Sequence, residues 1–196
     1  LTKNHVYSKE MEHDACGVGL IASTEGKKSR AIVEYGIEAL KAVWHRGAVD
    51  ADGKTGDGAG IHVEIPKDFF IEKIQVTGHD YDNSEICVGM IFLPRNDYSA
   101  QENCKTIVES ELTKNDFSIY GWRQVPVNPK VLGEKALQTM PEIIQVLFKS
   151  NDPNLLDKNL ERKIYEIRKR IENKAFDASL NNFYICSISS KSIIYK

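Results

Sequence analysis

Apolar and polar positions change register several times along the chain, and each register predicts a different element. Residues 17 to 23, "GVGLIAS", are a short apolar run that predicts a buried strand. After a turn at "TEGKKS", Ser29 is placed to cap a helix running to about Trp44, with Ile32, Val33, Ile37, Leu40 and Trp44 on one side. Residues 45 to 61, "HRGAVDADGKTGDGAGI", are dense in glycine and aspartate and read as a long loop. Ile61, Val63 and Ile65 alternate, so a half-buried strand follows and stops at Pro66. "ICVGMIFLP", residues 86 to 94, is continuously apolar and predicts a central strand.

Further on, Ser99 to about Lys114 predicts an amphipathic helix with Cys104, Ile107, Val108 and Leu112 at helical spacing. Strands are expected over 117–125, 142–149 and 183–189, and in the tail. Residues 157 to 174 carry the clearest helical pattern, with Leu160, Ile164, Ile167 and Ile171 as the apolar stripe. Strict strand–helix alternation would indicate a doubly wound parallel sheet. Paired strands between helices indicate stacked antiparallel sheets faced by helices.

Composition narrows the function classes. The 196 residues are 41% hydrophobic and 28% charged, enough for one ordinary domain with a real core. Net charge is -2, and no basic run stands out, so nucleic acid is not an expected partner. No apolar stretch is long enough to span a bilayer. The opening, "LTKNHVYSKEMEHDA", lacks the apolar core of a secretory signal. The four cysteines show no CxxC pair, which fits free thiols in a reducing compartment, the cytoplasm. The last residues, "SIIYK", are apolar where a terminus is usually polar, so the domain is expected to continue beyond Lys196.

Candidate chemistry gathers at three places. Cys87, Cys104 and Cys186 sit in apolar patterns and read as buried small hydrophobes. Cys16 stands between a polar leader and the first apolar run. It is open to two readings, a core cysteine or a nucleophile. If the chain were cut before it, the new α-amino group, with a pKa of about 8, would lie beside the thiol as a base. Gly17 and Gly19 would then let a substrate approach the backbone. In "WHRGA", residues 44 to 48, His45 and Arg46 suit the negative end of a helix, and Gly47 is a natural helix stop. Arg46 can also bind a carboxylate or hold a loop. Asp50, Asp52 and Asp57 invite a calcium reading, but no glutamate closes an EF-hand loop, and "GKT" lacks the rest of a phosphate-binding loop. A glycine-rich turn feeding the next strand fits better. His5, His13, His62 and His79 are scattered without metal-ligand spacing.

Taken together, "DACGVGLIAS", "HRGAVDADGKTGDGAG", "GWRQVPVN", "LGEKALQTMPEIIQVLF" and "LERKIYEIRKRIE" resemble the amino-terminal glutaminase domain of the glutamate synthase large subunit. That is a class II glutamine amidotransferase. The resemblance runs from about Tyr7 onward. It implies an α+β fold, the N-terminal-nucleophile hydrolase four-layer αββα sandwich, incomplete at the C-terminus. It implies residues 1–15 as a propeptide and 16–196 as the front part of the amidotransferase domain. Cys16 would be the nucleophile, attacking L-glutamine and forming a glutamyl thioester. Arg46 and Gly47 would support the site. Ammonia would pass to synthase domains of the same full-length chain. FMN and an iron–sulfur cluster would lie in those domains, fed by an NAD(P)H- or ferredoxin-linked electron donor. No metal is expected in this segment.

The chain also departs from the family pattern. The family's later carboxylate-gripping arginine segment, its oxyanion-forming asparagine–glycine pair and its amine-holding acid are absent. Loss of an oxyanion donor costs about a hundred- to a thousand-fold in rate, so these residues alone are expected to be essentially inactive. The competing expectation is an amidotransferase-like domain that keeps the fold without the chemistry.

Overall fold

A computed structural model describes residues 17–44 and 47–196. The chain divides into two compact units, Leu1–Ala59 and Gly60–Lys196.

In the first unit, α1 (Arg30–Ala42) begins where its cap demands. The Ser29 hydroxyl accepts from the Ala31 N–H at 3.1 Å, satisfying one of the helix's free donors. Arg30 and Glu34 pair one turn apart, at 3.1 Å. Ile32, Val33, Ile37 and Leu40 are half-buried as the pattern predicts, but Trp44 is exposed. The strand expected over 17–23 is not present. Those residues carry no regular structure, and Val18 and Leu20 are exposed. A strand exists only through a ladder partner, and the apolar run supplies the pattern without the pairing.

The second unit is built around a four-stranded antiparallel sheet in the order β3-β4-β2-β5. Its strands are β2 (Cys87–Leu93), β3 (Phe117–Gln124), β4 (Glu142–Ser150) and β5 (Tyr184–Ser189). The apolar run at 86–94 does become an interior strand, paired with β4 from Cys87↔Phe148 to Leu93↔Glu142 and with β5 on its other side. A second, two-stranded sheet joins β1 (Ile61–Glu64) to β6 (Ser192–Tyr195), with Ile61 opposite Tyr195.

Two-residue periodicity divides the core into two faces. Cys87, Ile91 and Leu93 of β2 pack with Val146 and Phe148 of β4 against α3 (Tyr98–Lys114) and α5 (Asp157–Asp177). Val88 and Met90 point the other way, with Leu147, toward Phe70 and Ile74 of α2 (Lys67–Val76) and Ile193 of β6. Helices, a four-stranded sheet and a two-stranded sheet are thus layered, an α+β arrangement consistent with an incomplete αββα sandwich. Gly89 keeps the helical face close. A Cβ there would lie 2.7 Å from Val146 Cγ1 on the neighbouring strand.

Two bulges redirect side chains. Between Ile119 and Gly121 the β3–β4 register shifts and sends Tyr120 into the α2-side core. Between Met90 and Ile91 it shifts against β5, leaving Cys186 out of the paired register. On α5, all four predicted stripe residues are at most 1% exposed. Arg168 of the same helix donates to Ile185 O at 2.8 Å, fastening α5 to β5. Glu111, almost fully buried on α3, meets Lys174 of α5 at 2.5 Å.

Two helices go beyond the sequence reading. α2 has no side-chain cap and buries only Phe70 and Ile74, so its helical signal is weak. α4 (Glu134–Thr139) is only six residues long. It belongs to the β3–β4 connection, part of which roofs an apolar groove of about 380 Å³ over Phe92 and Ile143.

Candidate functional site

Two of the three sequence-predicted site residues, Cys16 and Arg46, lie outside the described residues, as do His45 and the leader, 1–15. The third, Gly47, is described, and so are the segments that follow each of the other two. After Cys16 the backbone runs exposed, and a Cβ added at Gly19 would meet no atom within 4 Å.

Gly47 does not stop the helix. α1 ends at Ala42, and its C-cap is Val43, with φ -97° and its N–H bonded to Lys41 O. A helix can end through such a tightened last turn without a left-handed glycine. Gly47 closes a separate turn, its N–H donating to Trp44 O at 3.0 Å. A Cβ at Gly47 would find Trp44 O at 3.5 Å, which is ordinary contact.

The aspartate–glycine loop is a compact hairpin. Val49 and Gly56 form an isolated antiparallel bridge, and Asp50 N–H donates to Thr55 O at 2.7 Å. Asp52 accepts from the N–H groups of Lys54 (2.9 Å) and Thr55 (2.7 Å) and from the Thr55 hydroxyl (2.5 Å). Asp50 accepts from the Ala51 N–H at 2.6 Å, and Asp57 from the Ala48 N–H at 2.9 Å. The carboxylates therefore serve the loop's own backbone, the usual use of aspartate in turns. Among the described residues, no group of three or more His, Cys, Asp or Glu gathers to hold a metal ion.

The glycines of this motif have uses that spacing alone did not reveal. A Cβ at Gly56 would lie 3.0 Å from Ala48 O. In the second unit, one at Gly60 would lie 2.7 Å from Tyr195 O, inside any real Cβ contact. Gly60 thus permits the close pairing of β1 with β6. Glycine density in "TGDGAG" was the available signal, but the partner lies 135 positions away, at Tyr195.

Cys87, Cys104 and Cys186 are buried free thiols, as their patterns predict. Burial pushes the Cys104 thiol up to about 11. Burial also raises Cys87, with Glu161 and Glu85 adding to it, and raises Cys186. A thiol held protonated is a poor nucleophile, so these three are structural. His62 Nε2 shares a hydrogen bond with the Ser192 hydroxyl at 2.6 Å, and His79 Nδ1 with the Thr77 hydroxyl at 3.2 Å. Each has a local structural partner.

One polar cluster was invisible in the sequence. Asp82 forms an ion pair with Lys149 and accepts from the Tyr120 hydroxyl at 3.1 Å. Bonding to Lys149, then to Ser84, holds the Asp82 carboxyl well below the usual range. Burial, and then Asp82 itself, pushes the Tyr120 hydroxyl up. The cluster pins the α2–β2 connection onto β3 and β4.

The family profile described as "Glutamine amidotransferases class-II" matches residues 16–196. The glutamate synthase [NADPH] large chain of Azospirillum brasilense is 54% identical over 196 residues, covering all of this chain and 13% of that protein. Ferredoxin-dependent glutamate synthase 1, chloroplastic/mitochondrial, of Arabidopsis thaliana is 38% identical over 187 residues, and the chloroplastic enzyme of Spinacia oleracea 39% over 188. In each of those two, 94% of this chain aligns with 11% of the relative. The chain therefore spans only about an eighth or a ninth of the length of these relatives. With the profile matched from Cys16 to the last residue, on an α+β layered fold, the chain belongs to the class II glutamine amidotransferases.

Proposed function

We propose that this chain is the glutamine-hydrolysing module of a glutamate synthase, with Cys16 as its N-terminal nucleophile. The observation that carries this reading is where the family match begins. It starts at Cys16 and leaves out the fifteen residues before it. On this reading residues 1–15 are a propeptide, and residues 16–196 are the front of the amidotransferase domain. While the leader is attached, the Cys16 nitrogen is an amide and cannot act as a base. Removal frees an α-amine with a pKa of about 8, which takes the thiol proton. The thiolate attacks the glutamine side-chain carbonyl, the C–N bond breaks, and ammonia leaves with the proton. Water then opens the thioester to give glutamate and restore the thiol. Arg46 and Gly47 support the site.

The ammonia is passed to synthase domains of a longer chain. FMN and an iron–sulfur cluster belong to those domains, and no set of metal ligands gathers among the residues described in this segment. Higher identity to the relative named for NADPH than to those named for ferredoxin favours a nicotinamide donor. Cys87, Cys104 and Cys186 are free thiols, which suits a reducing compartment, and we assign the protein to the cytoplasm.

The test uses the complete protein. Intact-mass or amino-terminal sequencing is expected to find a chain starting at Cys16. Cys16→Ala is expected to abolish glutamine hydrolysis while leaving hydrogen-exchange protection of β2 and β4 unchanged. An active protein that retains its leader, or an active Cys16→Ala variant, overturns the reading.

A further inference from the structure

The backbone that follows Arg46 is held by Asp57. The Ala48 N–H donates to Asp57 Oδ2 at 2.9 Å, and the Asp57 N–H donates back to Ala48 O at 3.2 Å. Both polar groups of the Ala48 backbone are thus bound by one residue. The same carbonyl is closely packed by Gly56, where a Cβ would come within 3.0 Å of it. Gly47 lies against the clasp, since a Cβ there would be 4.0 Å from Asp57 Oδ2. The rest of the hairpin is closed by its own bonds, Asp50 to Thr55 and Asp52 to Lys54 and Thr55. Asp57 is therefore presented from a braced loop.

We propose that Asp57 is a positioning residue for glutamine hydrolysis: its carboxylate, by accepting the Ala48 N–H, sets the backbone of the Gly47–Ala48 turn. The inference rests on the glutaminase reading above. It makes a specific claim about chemistry. The bond needs an acceptor oxygen at Oδ2, not a charge. Asparagine presents a carbonyl oxygen that takes the same N–H, whereas alanine leaves the turn unheld. A displaced support residue degrades the geometry of the reacting groups, which is felt in turnover more than in substrate affinity.

The experiment compares Asp57→Ala, Asp57→Asn and Cys16→Ala in the complete protein, following glutamate release from glutamine and amide exchange. Asp57→Ala is expected to lower kcat about ten- to a hundred-fold with KM changed less than about threefold. Asp57→Asn is expected to keep kcat within about threefold of the parent, as the retained acceptor requires. Exchange at Ala48 should quicken in Asp57→Ala alone, with β2 and β4 protected as before in both. A parent-like kcat in Asp57→Ala, or equal losses in both variants, overturns the positioning role. If Asp57→Ala does not fold, Gly56→Ala, which crowds Ala48 O and leaves the carboxylate intact, should lower kcat by a similar factor. A parent-like kcat in that variant then overturns the proposal. These outcomes are separate from the reading beneath it: an active Cys16→Ala enzyme removes Cys16 as the nucleophile, and a complete parent protein that releases no glutamate from glutamine removes the glutaminase assignment, whatever the Asp57 variants do.

Discussion

The two units hold themselves together by different means. In the second unit, strands β2, β4 and β5 and helix α5 place side chain after side chain out of water, on two opposed faces of one sheet. In the first, no described residue is buried, and order comes from a capped helix and a hairpin tied by its own backbone and carboxylates. The motifs that carry the family resemblance around Cys16 and Arg46 fall largely in the unit in which no described residue is buried. The lesson is that a hydrophobic core fixes position through many interchangeable contacts, whereas a solvent-facing turn is fixed by a few bonds of defined geometry. A change in the first kind of region costs stability, and a change in the second costs rate.

The largest effect that would test this contrast is in the core. Ile167 is completely buried between α5 and the sheet, so Ile167→Ala should destabilise the unit by about 2–5 kcal/mol. Native-state hydrogen exchange at β2 and β5 amides would read that loss, and turnover per folded molecule should stay unchanged. A fall in kcat of the folded fraction would break the separation between the two units.

A smaller effect is expected at Gly60, beside the two-stranded sheet of the second unit. Gly60→Ala forces a Cβ against Tyr195 O, and relieving it should cost about 1–3 kcal/mol. The loss should appear as faster exchange confined to β1 and β6. Exchange that quickens equally in β2 and β4 would mean that the two-stranded sheet is not a separable part of the core.

The smallest effect is electrostatic. The Asp82 pKa is lower in the folded protein than in the unfolded chain, through Lys149 first and then Ser84. Its contribution is therefore present above the unfolded carboxylate pKa, about 4, and is lost as pH falls through the depressed folded value. Acidification from about pH 5 to about pH 2.5 should weaken β3 protection more in the parent than in Asp82→Asn. Identical acid profiles would show that the Lys149 pair contributes nothing, as many exposed pairs do.

Much of this was legible in the chain. Leu160, Ile164, Ile167 and Ile171 recur at helical spacing and are all buried, because a solvent-facing helix can hide only one stripe. Ser29 announced the start of α1 because a short side-chain oxygen just before a helix can accept one of its free N–H groups. The continuous apolar run at 86–94 became an interior strand because both of its faces meet a core. The patterns around Cys87, Cys104 and Cys186 marked them as buried thiols, because each lies on an apolar run or stripe.

Other features were decided only by the fold. "GVGLIAS" has a strand's composition but no ladder among the described residues, since pairing is a property of two segments and composition is a property of one. Gly47 looks like a helix stop but closes a later turn. α2 has too weak a local signal to be read, and forms with Phe70 and Ile74 pinned in the core beneath the sheet. Asp82 and Lys149 meet across a long sequence separation because β4 pairs with β2, setting Phe148 opposite Cys87. The sequence by itself thus determined the periodic elements, the buried thiols and the family motifs, all of which depend on neighbours within a few residues. The tertiary structure alone decided strand order, the two bulges, the close approach at Gly60 and the hold of Asp57 on Ala48. Those depend on which distant backbone comes near, and that is set by burying both faces of one sheet at once.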